Sequence, residues 1–134
     1  LDGNTIKLGS LLENGPVMLN FFRSWCPSCK EGQKKLQLIY EAYKNKGFNY
    51  IGINIDNQKT VSKVKSYVDA MGFTFPIILD TDKKIFEMYG GNEDAVPYYL
   101  IIGKDKNILH THLGYKTGDE KMIEEEIKEA LEIK

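Results

Sequence analysis

The segment Trp25-Cys26-Pro27-Ser28-Cys29 holds both cysteines and the one tryptophan of this 134-residue chain. Two thiols separated by two residues can close a small disulfide ring, and the chemistry such a pair offers is thiol–disulfide exchange. An apolar run, Pro16 to Phe22, precedes the pair, and a helix-like stretch, Lys30 to Lys46, follows it. At a helix start, unpaired backbone N–H groups and the helix dipole favour a thiolate on the first cysteine. Pro27 suits the first turn, where its missing N–H would find no partner. Metal binding is the competing use. A zinc site commonly takes four ligands, and this chain offers one cysteine pair plus His110 and His112, two strand-alternating histidines that share a face. A purely structural Cys26–Cys29 disulfide would close too short a loop to stabilise much. The residues therefore favour redox chemistry at Cys26 and Cys29, with no metal and no cofactor beyond the cysteine pair itself.

The elements around the motif follow from hydrophobic spacing. Val17 to Phe22 is almost continuously apolar, as in a strand covered on both faces. Lys30 to Lys46 places Leu36, Ile39, Tyr40 and Tyr43 at helical spacing, with Gly47 as a stop. Phe48 to Ile55 reads as a strand with Ile51, Ile53 and Ile55 on one face. Thr60 is placed to cap a helix whose stripe is Val61, Val64, Val68 and Met71, ended by Gly72. Phe75 to Leu79 is a short strand and Lys84 to Tyr89 a short helix. Tyr98 to Ile102 and Ile108 to Leu113 flank a turn and predict a hairpin. Thr117 and Glu120 have capping-box spacing ahead of a last helix that buries Ile123, Ile127, Ala130 and Leu131. Gly9 to Gly15 reads as a connector, and Leu1 to Leu8 as a turn with a short strand pair. Strands alternating with helices, closed by a hairpin and a helix, predict an α/β sandwich with a mixed central sheet.

Size and composition narrow the class. One domain spanning residues 1–134 is expected at this length. Hydrophobic residues make up 42% and charged residues 28%, an ordinary balance for a globular domain. A net charge of −1 offers nothing to a nucleic acid. No apolar stretch approaches the ~20 residues of a membrane span. The chain begins at Leu1, which predicts a processed product with a signal peptide or membrane anchor ahead of it.

Taken together, these residues resemble the thioredoxin superfamily, and within it the extracytoplasmic TlpA/ResA-like thiol–disulfide oxidoreductases. The resemblance rests on Leu19 to Cys29, on Asp2 to Leu8 as the branch's N-terminal extension, on the inserted helix-strand segment from Thr60 to Leu79, and on Ala95 to Ile102. It implies a three-layer thioredoxin-like sandwich and a cis-proline at Val96-Pro97, lying against the motif and offering backbone groups to an extended substrate strand. Cys26 attacks a partner disulfide and Cys29 resolves the mixed disulfide. Trp25, Pro27, Ser28, Val96 and Pro97 surround the pair, Trp25 as an apolar contact surface. Arg23 and Lys30 flank it, either as charges that favour the Cys26 thiolate or as solvated surface groups. The implied partners are disulfide-containing exported proteins, apocytochrome c among them, and a membrane thiol electron carrier that recharges the dithiol. A monomer outside the cytoplasm is expected.

Three positions depart from the branch. It often carries a glutamate three residues after the second cysteine and a proline two further on, where this chain has Gly32 and Lys34. It often has threonine after the cis-proline, where this chain has Tyr98. Asn20 stands where cytoplasmic thioredoxins have a buried aspartate, and asparagine there agrees with the branch. The proton acceptor for Cys29 is thus unassigned, with Glu93 and Asp94 as loop candidates, and Gly32→Glu is expected to restore an acid with little change in fold. Two alternatives stand beside the reductase. One is a metal- or haem-handling binding module built on the cysteine pair. The other is a peroxiredoxin-like peroxidase, although Arg23 occupies the threonine position of that family's P-x-x-x-T-x-x-C pattern.

Overall fold

The computed structural model describes residues 8–92 and 95–131. The strand pair expected within Leu1 to Leu8, and the loop acids Glu93 and Asp94, lie outside the described residues or at their edge.

Five strands form one mixed sheet in the order β3-β2-β1-β4-β5. They are β1 (Val17–Phe22), β2 (Asn49–Asn54), β3 (Ile77–Leu79), β4 (Tyr98–Ile102) and β5 (Ile108–Leu113). β1 runs parallel to β2, and β2 to β3. β4 is antiparallel to β1 and to β5. All six residues of β1 are buried, which is why its sequence is apolar throughout rather than alternating. Ile51, Ile53 and Ile55 share one face with Val17, Leu19 and Phe21, packed under Leu12 of α1 (Leu8–Leu12) and Phe86 of α4 (Lys84–Met88). The opposite face carries Met18, Phe22, Tyr50, Tyr99 and Ile101, covered by α2 (Pro27–Tyr43), α3 (Val64–Met71) and α5 (Asp119–Ala130). Helices on both sides of the sheet make the three layers expected.

The inserted segment is present. A 3₁₀ turn at Val61–Lys63 leads into α3, and β3 adds to the outer edge of β2. An aromatic cluster fastens it. The Tyr50 and Phe75 ring centroids are 4.3 Å apart, Phe73 and Phe75 5.0 Å, and Tyr67 and Phe73 5.9 Å.

Local expectations fail in three places. Gly9 to Gly15 is not wholly a connector, since α1 occupies Leu8–Leu12. Thr60 does not cap: the chain enters α3 through the 3₁₀ turn, and the Thr60 hydroxyl is buried without a partner. The capping box at Thr117 does not form either. Gly118, in the left-handed region at φ 100°, is the residue before α5. Thr117 turns instead to donate to Glu31 of α2 at 2.5 Å. Glu120 accepts from the Gly118 N–H at 3.0 Å and from the Tyr115 hydroxyl. The tertiary contact outcompetes the local cap.

Candidate active site

The two cysteines meet at the N-terminus of α2 as a disulfide, with Cα atoms 5.2 Å apart. Cys26 is the residue before the first turn, in extended conformation, and Pro27 occupies that turn as its sequence predicts. The Cys29 N–H donates to the Cys26 Sγ at 3.2 Å, so one of the helix's unpaired donors already points at the first sulfur. The Ser28 Oγ lies 3.6 Å from the same sulfur. Cys26 is partly exposed, whereas Cys29 is fully buried in the core beneath α2. The Val96–Pro97 peptide bond is cis, and Val96 packs against the buried residues on both faces of the sheet.

The loop between β1 and α2 is anchored from below. Asp56, fully buried just past β2, accepts from the Ser24 N–H at 2.8 Å and from the Ser24 hydroxyl at 2.5 Å. Asn54 holds that carboxylate, its Nδ2 donating to Asp56 Oδ1 at 2.9 Å while its Oδ1 accepts from the Asp56 N–H at 3.0 Å. Parallel pairing of β1 with β2 brings their C-terminal ends side by side, so the residue after one strand can fix the loop after the other. Sequence reasoning did not single out Asp56. The available signal was a lone acid directly after an apolar strand, where an uncompensated carboxylate would be costly. Arg23 corrects an expectation: it is 5% exposed, not a solvated charge, and its guanidinium lies 5.0 Å from the centre of the Trp25 ring. Trp25 itself is 61% exposed beside the partly open sulfur. Lys30 is exposed, as one of the two readings allowed.

Beneath α2 runs a polar seam of buried side chains. Asn20 and Tyr99 are register partners on β1 and β4. Asn20 Nδ2 donates to the Tyr50 hydroxyl at 2.5 Å. The Tyr67 hydroxyl of α3 donates to Gln33 Oε1 of α2 at 2.6 Å. Burial raises the Tyr50, Tyr67 and Tyr99 pKa values, that of Tyr67 to about 12. Gly32 faces this seam. A Cβ there would lie 2.5 Å from the Tyr99 hydroxyl and 3.0 Å from the Tyr115 ring. The expectation that Gly32→Glu changes the fold only modestly meets an obstacle, since the space for its side chain is taken by Tyr99.

His110 and His112 do share a face, as alternation on β5 requires, but they turn to α5. His110 Nδ1 is 3.1 Å and His112 Nε2 2.6 Å from the two oxygens of Glu126. Among the described residues, no group of three or more histidine, cysteine or acidic side chains is arranged to hold a metal ion, so the cysteine pair and the histidines are not brought together as a ligand set.

A thioredoxin-like sandwich carrying a Cys-x-x-Cys disulfide at a helix start defines the class of thiol–disulfide oxidoreductases. The Redoxin family model matches residues 1–130, and the chain belongs to that family. It is 31% identical over 125 residues to the thiol–disulfide oxidoreductase ResA of Halalkalibacterium halodurans, covering 93% of this chain and 67% of that protein. ResA of Bacillus thuringiensis (strain Al Hakam) is 33% identical over 120 residues, 90% of this chain and 66% of that protein. The chain thus spans about two thirds of the length of these relatives. Among solved structures, a thiol:disulfide interchange protein of the thioredoxin family from Chlorobium tepidum TLS superposes with a TM-score of 0.78 at 24% identity, over 92% of this chain and 84% of that one. StoA from Bacillus subtilis gives 0.68 at 24% identity, over 84% and 82%. Those two likenesses speak to the fold.

Proposed function

We propose that this chain reduces disulfides of exported proteins outside the cytoplasm, with Cys26 attacking and Cys29 resolving. The asymmetry of the two sulfurs carries the reading. Cys26 is reachable, flanked by exposed Trp25, and already receives a backbone N–H, whereas Cys29 is enclosed. The thiolate of Cys26 attacks a partner disulfide, one partner sulfur leaves, and a mixed disulfide forms. The Cys29 sulfur then displaces the partner and restores the Cys26–Cys29 bond, so two electrons pass from the dithiol to the partner. A membrane thiol carrier returns them. A cavity of about 300 Å³, lined by Gly90, Gly91, Asn92, Ala95, Tyr98 and Leu113, adjoins the Val96-Pro97 segment and offers room beside it for an extended substrate chain. Val96, Pro97, Pro27 and Ser28 serve as the walls of the site. The likeness to thiol–disulfide oxidoreductases named ResA supports the exchange chemistry, and in this reading the disulfide of apocytochrome c is one substrate.

The reduction potential tests the direction. Equilibration with glutathione or dithiothreitol is expected to place the couple nearer thioredoxin, about −270 mV, than DsbA, about −120 mV. A value above roughly −160 mV marks an oxidant and overturns the reductase reading.

A further inference from the structure

Cys29 is the sulfur that has to act from inside the protein. It is fully buried, and an apolar enclosure disfavours the thiolate that must displace the partner. On the same face of α2, one turn along, the helix has Gly32 and Gln33, both buried. Three buried polar atoms of the seam beneath it make no hydrogen bond: the Tyr99 hydroxyl, Gln33 Nε2 and Asn20 Oδ1. The neighbouring buried or half-buried tyrosines are all engaged. Tyr67 donates to Gln33, Tyr115 to Glu120, and Tyr50 is held by Asn20. An unpartnered hydroxyl in a core costs stability, and a glycine weakens a helix relative to alanine. Both costs fall at one point, because the missing Gly32 side chain is what admits the Tyr99 oxygen, 2.5 Å from where a Cβ would sit. Helix side chains lean toward the N-terminus, so that point lies on the Cys29 side of Gly32, and the Cβ positions of residues 29 and 32 are only about 5–6 Å apart.

We propose that Tyr99 is the positioning residue for the resolving step: when the disulfide opens, its hydroxyl donates a hydrogen bond to the sulfur of Cys29 and favours its thiolate. Tyr99 acts as a donor and not as a base, since burial keeps its hydroxyl protonated far above neutral pH. The titratable groups that face it are Tyr50 from β2, Tyr67 from α3, Tyr115 from the β5–α5 connection and Asp119 from α5. In the step itself the Cys29 thiol loses its proton to water, the Cys29–Cys26 bond forms and the Cys26–partner bond breaks. The electron pair leaves on the partner sulfur, which takes a proton from solvent. No further oxidant or reductant is needed. The assignment rests on the exchange mechanism proposed above.

The test is Tyr99→Phe, which keeps the ring and removes only the hydroxyl. Cys26 of each protein is loaded with a small aromatic thiol as a mixed disulfide, and release of that thiol is followed across pH. The expected result is release slowed about tenfold or more near neutral pH, with the pH profile displaced upward, as the loss of a hydrogen bond to a charged group implies. Cys26 alkylation by iodoacetamide in the reduced proteins should be unchanged. Tyr115→Phe, whose hydroxyl is already taken by Glu120, should leave the profile in place. If Tyr99→Phe matches the wild type at every pH, or if Tyr115→Phe shifts the profile equally, the assignment to Tyr99 is overturned while the exchange mechanism stands. If the wild type releases no thiol, the exchange mechanism itself falls. Should Tyr99→Phe unfold, the Cys29 thiol is titrated by its ultraviolet absorbance in Cys26→Ser alone and in Cys26→Ser with Tyr115→Phe, where a Cys29 pKa at or above that of a free thiol, about 8.5, overturns the proposal.

Discussion

Cys26 and Cys29 stand three residues apart, yet one is partly open to solvent and the other is sealed in the core. A helical turn is enough to produce that difference, because the first residue ahead of the helix projects past its end while the third lies on the face that packs on the sheet. The backbone N–H of Cys29 is aimed at the Cys26 sulfur and favours the anion there. In the reduced protein Cys26 should therefore alkylate first at neutral pH, with Cys29 protected until unfolding. Cys29→Ser should leave an attacker without a resolver and accumulate mixed disulfides with partner proteins, whereas Cys26→Ser should accumulate none. Acid-quenched extracts on a non-reducing gel read the outcome. Adducts on the Cys26→Ser variant alone would reverse the two roles.

At the scale of elements, α2 is positioned by what its N-terminal half lacks as much as by what it buries. Leu36, Ile39 and Tyr43 seat the helix on the sheet, and Gly32 lets it approach closely enough to meet Tyr99 and Tyr115. Replacing Gly32 by glutamate would force a side chain into an occupied site. The expected loss is about 1–3 kcal/mol by overpacking, read as a lower urea midpoint. Adding Tyr99→Phe removes the nearest atom and should recover part of that loss. If Gly32→Glu is as stable as the wild type, the helix and β4 are not in the close contact described. The ends of β1 and β2 show the same logic with polar groups, since Asp56 and Asn54 pin the Ser24 backbone directly ahead of the cysteines.

For the whole molecule, one face of the sheet is unusually rich in buried phenols. Burial raises the pKa of Tyr50, Tyr67, Tyr99 and Tyr115, with the Glu120 hydrogen bond adding to the effect at Tyr115. Each therefore holds its proton more tightly when folded than when unfolded. The sign follows: the stabilisation is fully present below about pH 10, where unfolded tyrosine is still protonated, and is lost as pH rises above that value. For Tyr67 the loss runs up to about 12. Urea unfolding should thus show a midpoint that falls steeply above about pH 10, together with the rise of tyrosinate absorbance. A midpoint independent of alkaline pH would contradict the buried seam.

Hydrophobic spacing by itself determined most of the architecture. The continuous run Val17–Phe22, the isoleucines of β2 and strand β4 appear where their sequences place them, because burial on one or two faces imposes a period that the chain carries openly, while β5, none of whose residues is buried, was marked by the turn ahead of it. The cysteine pair was legible for the same reason, as spacing and the proline mark a helix start. Caps were not, since Thr117 had a partner 86 residues away in Glu31 that no local pattern contains. Arg23 reads equally as a charge favouring the Cys26 thiolate or as a solvated surface group until the fold buries it against Trp25. Only the tertiary structure could pair Gly32 of α2 with Tyr99 of β4. Gly32 in sequence is a weak helix residue and Tyr99 a strand aromatic, and their meaning comes from packing that sets the Tyr99 hydroxyl 2.5 Å from where a Gly32 Cβ would lie.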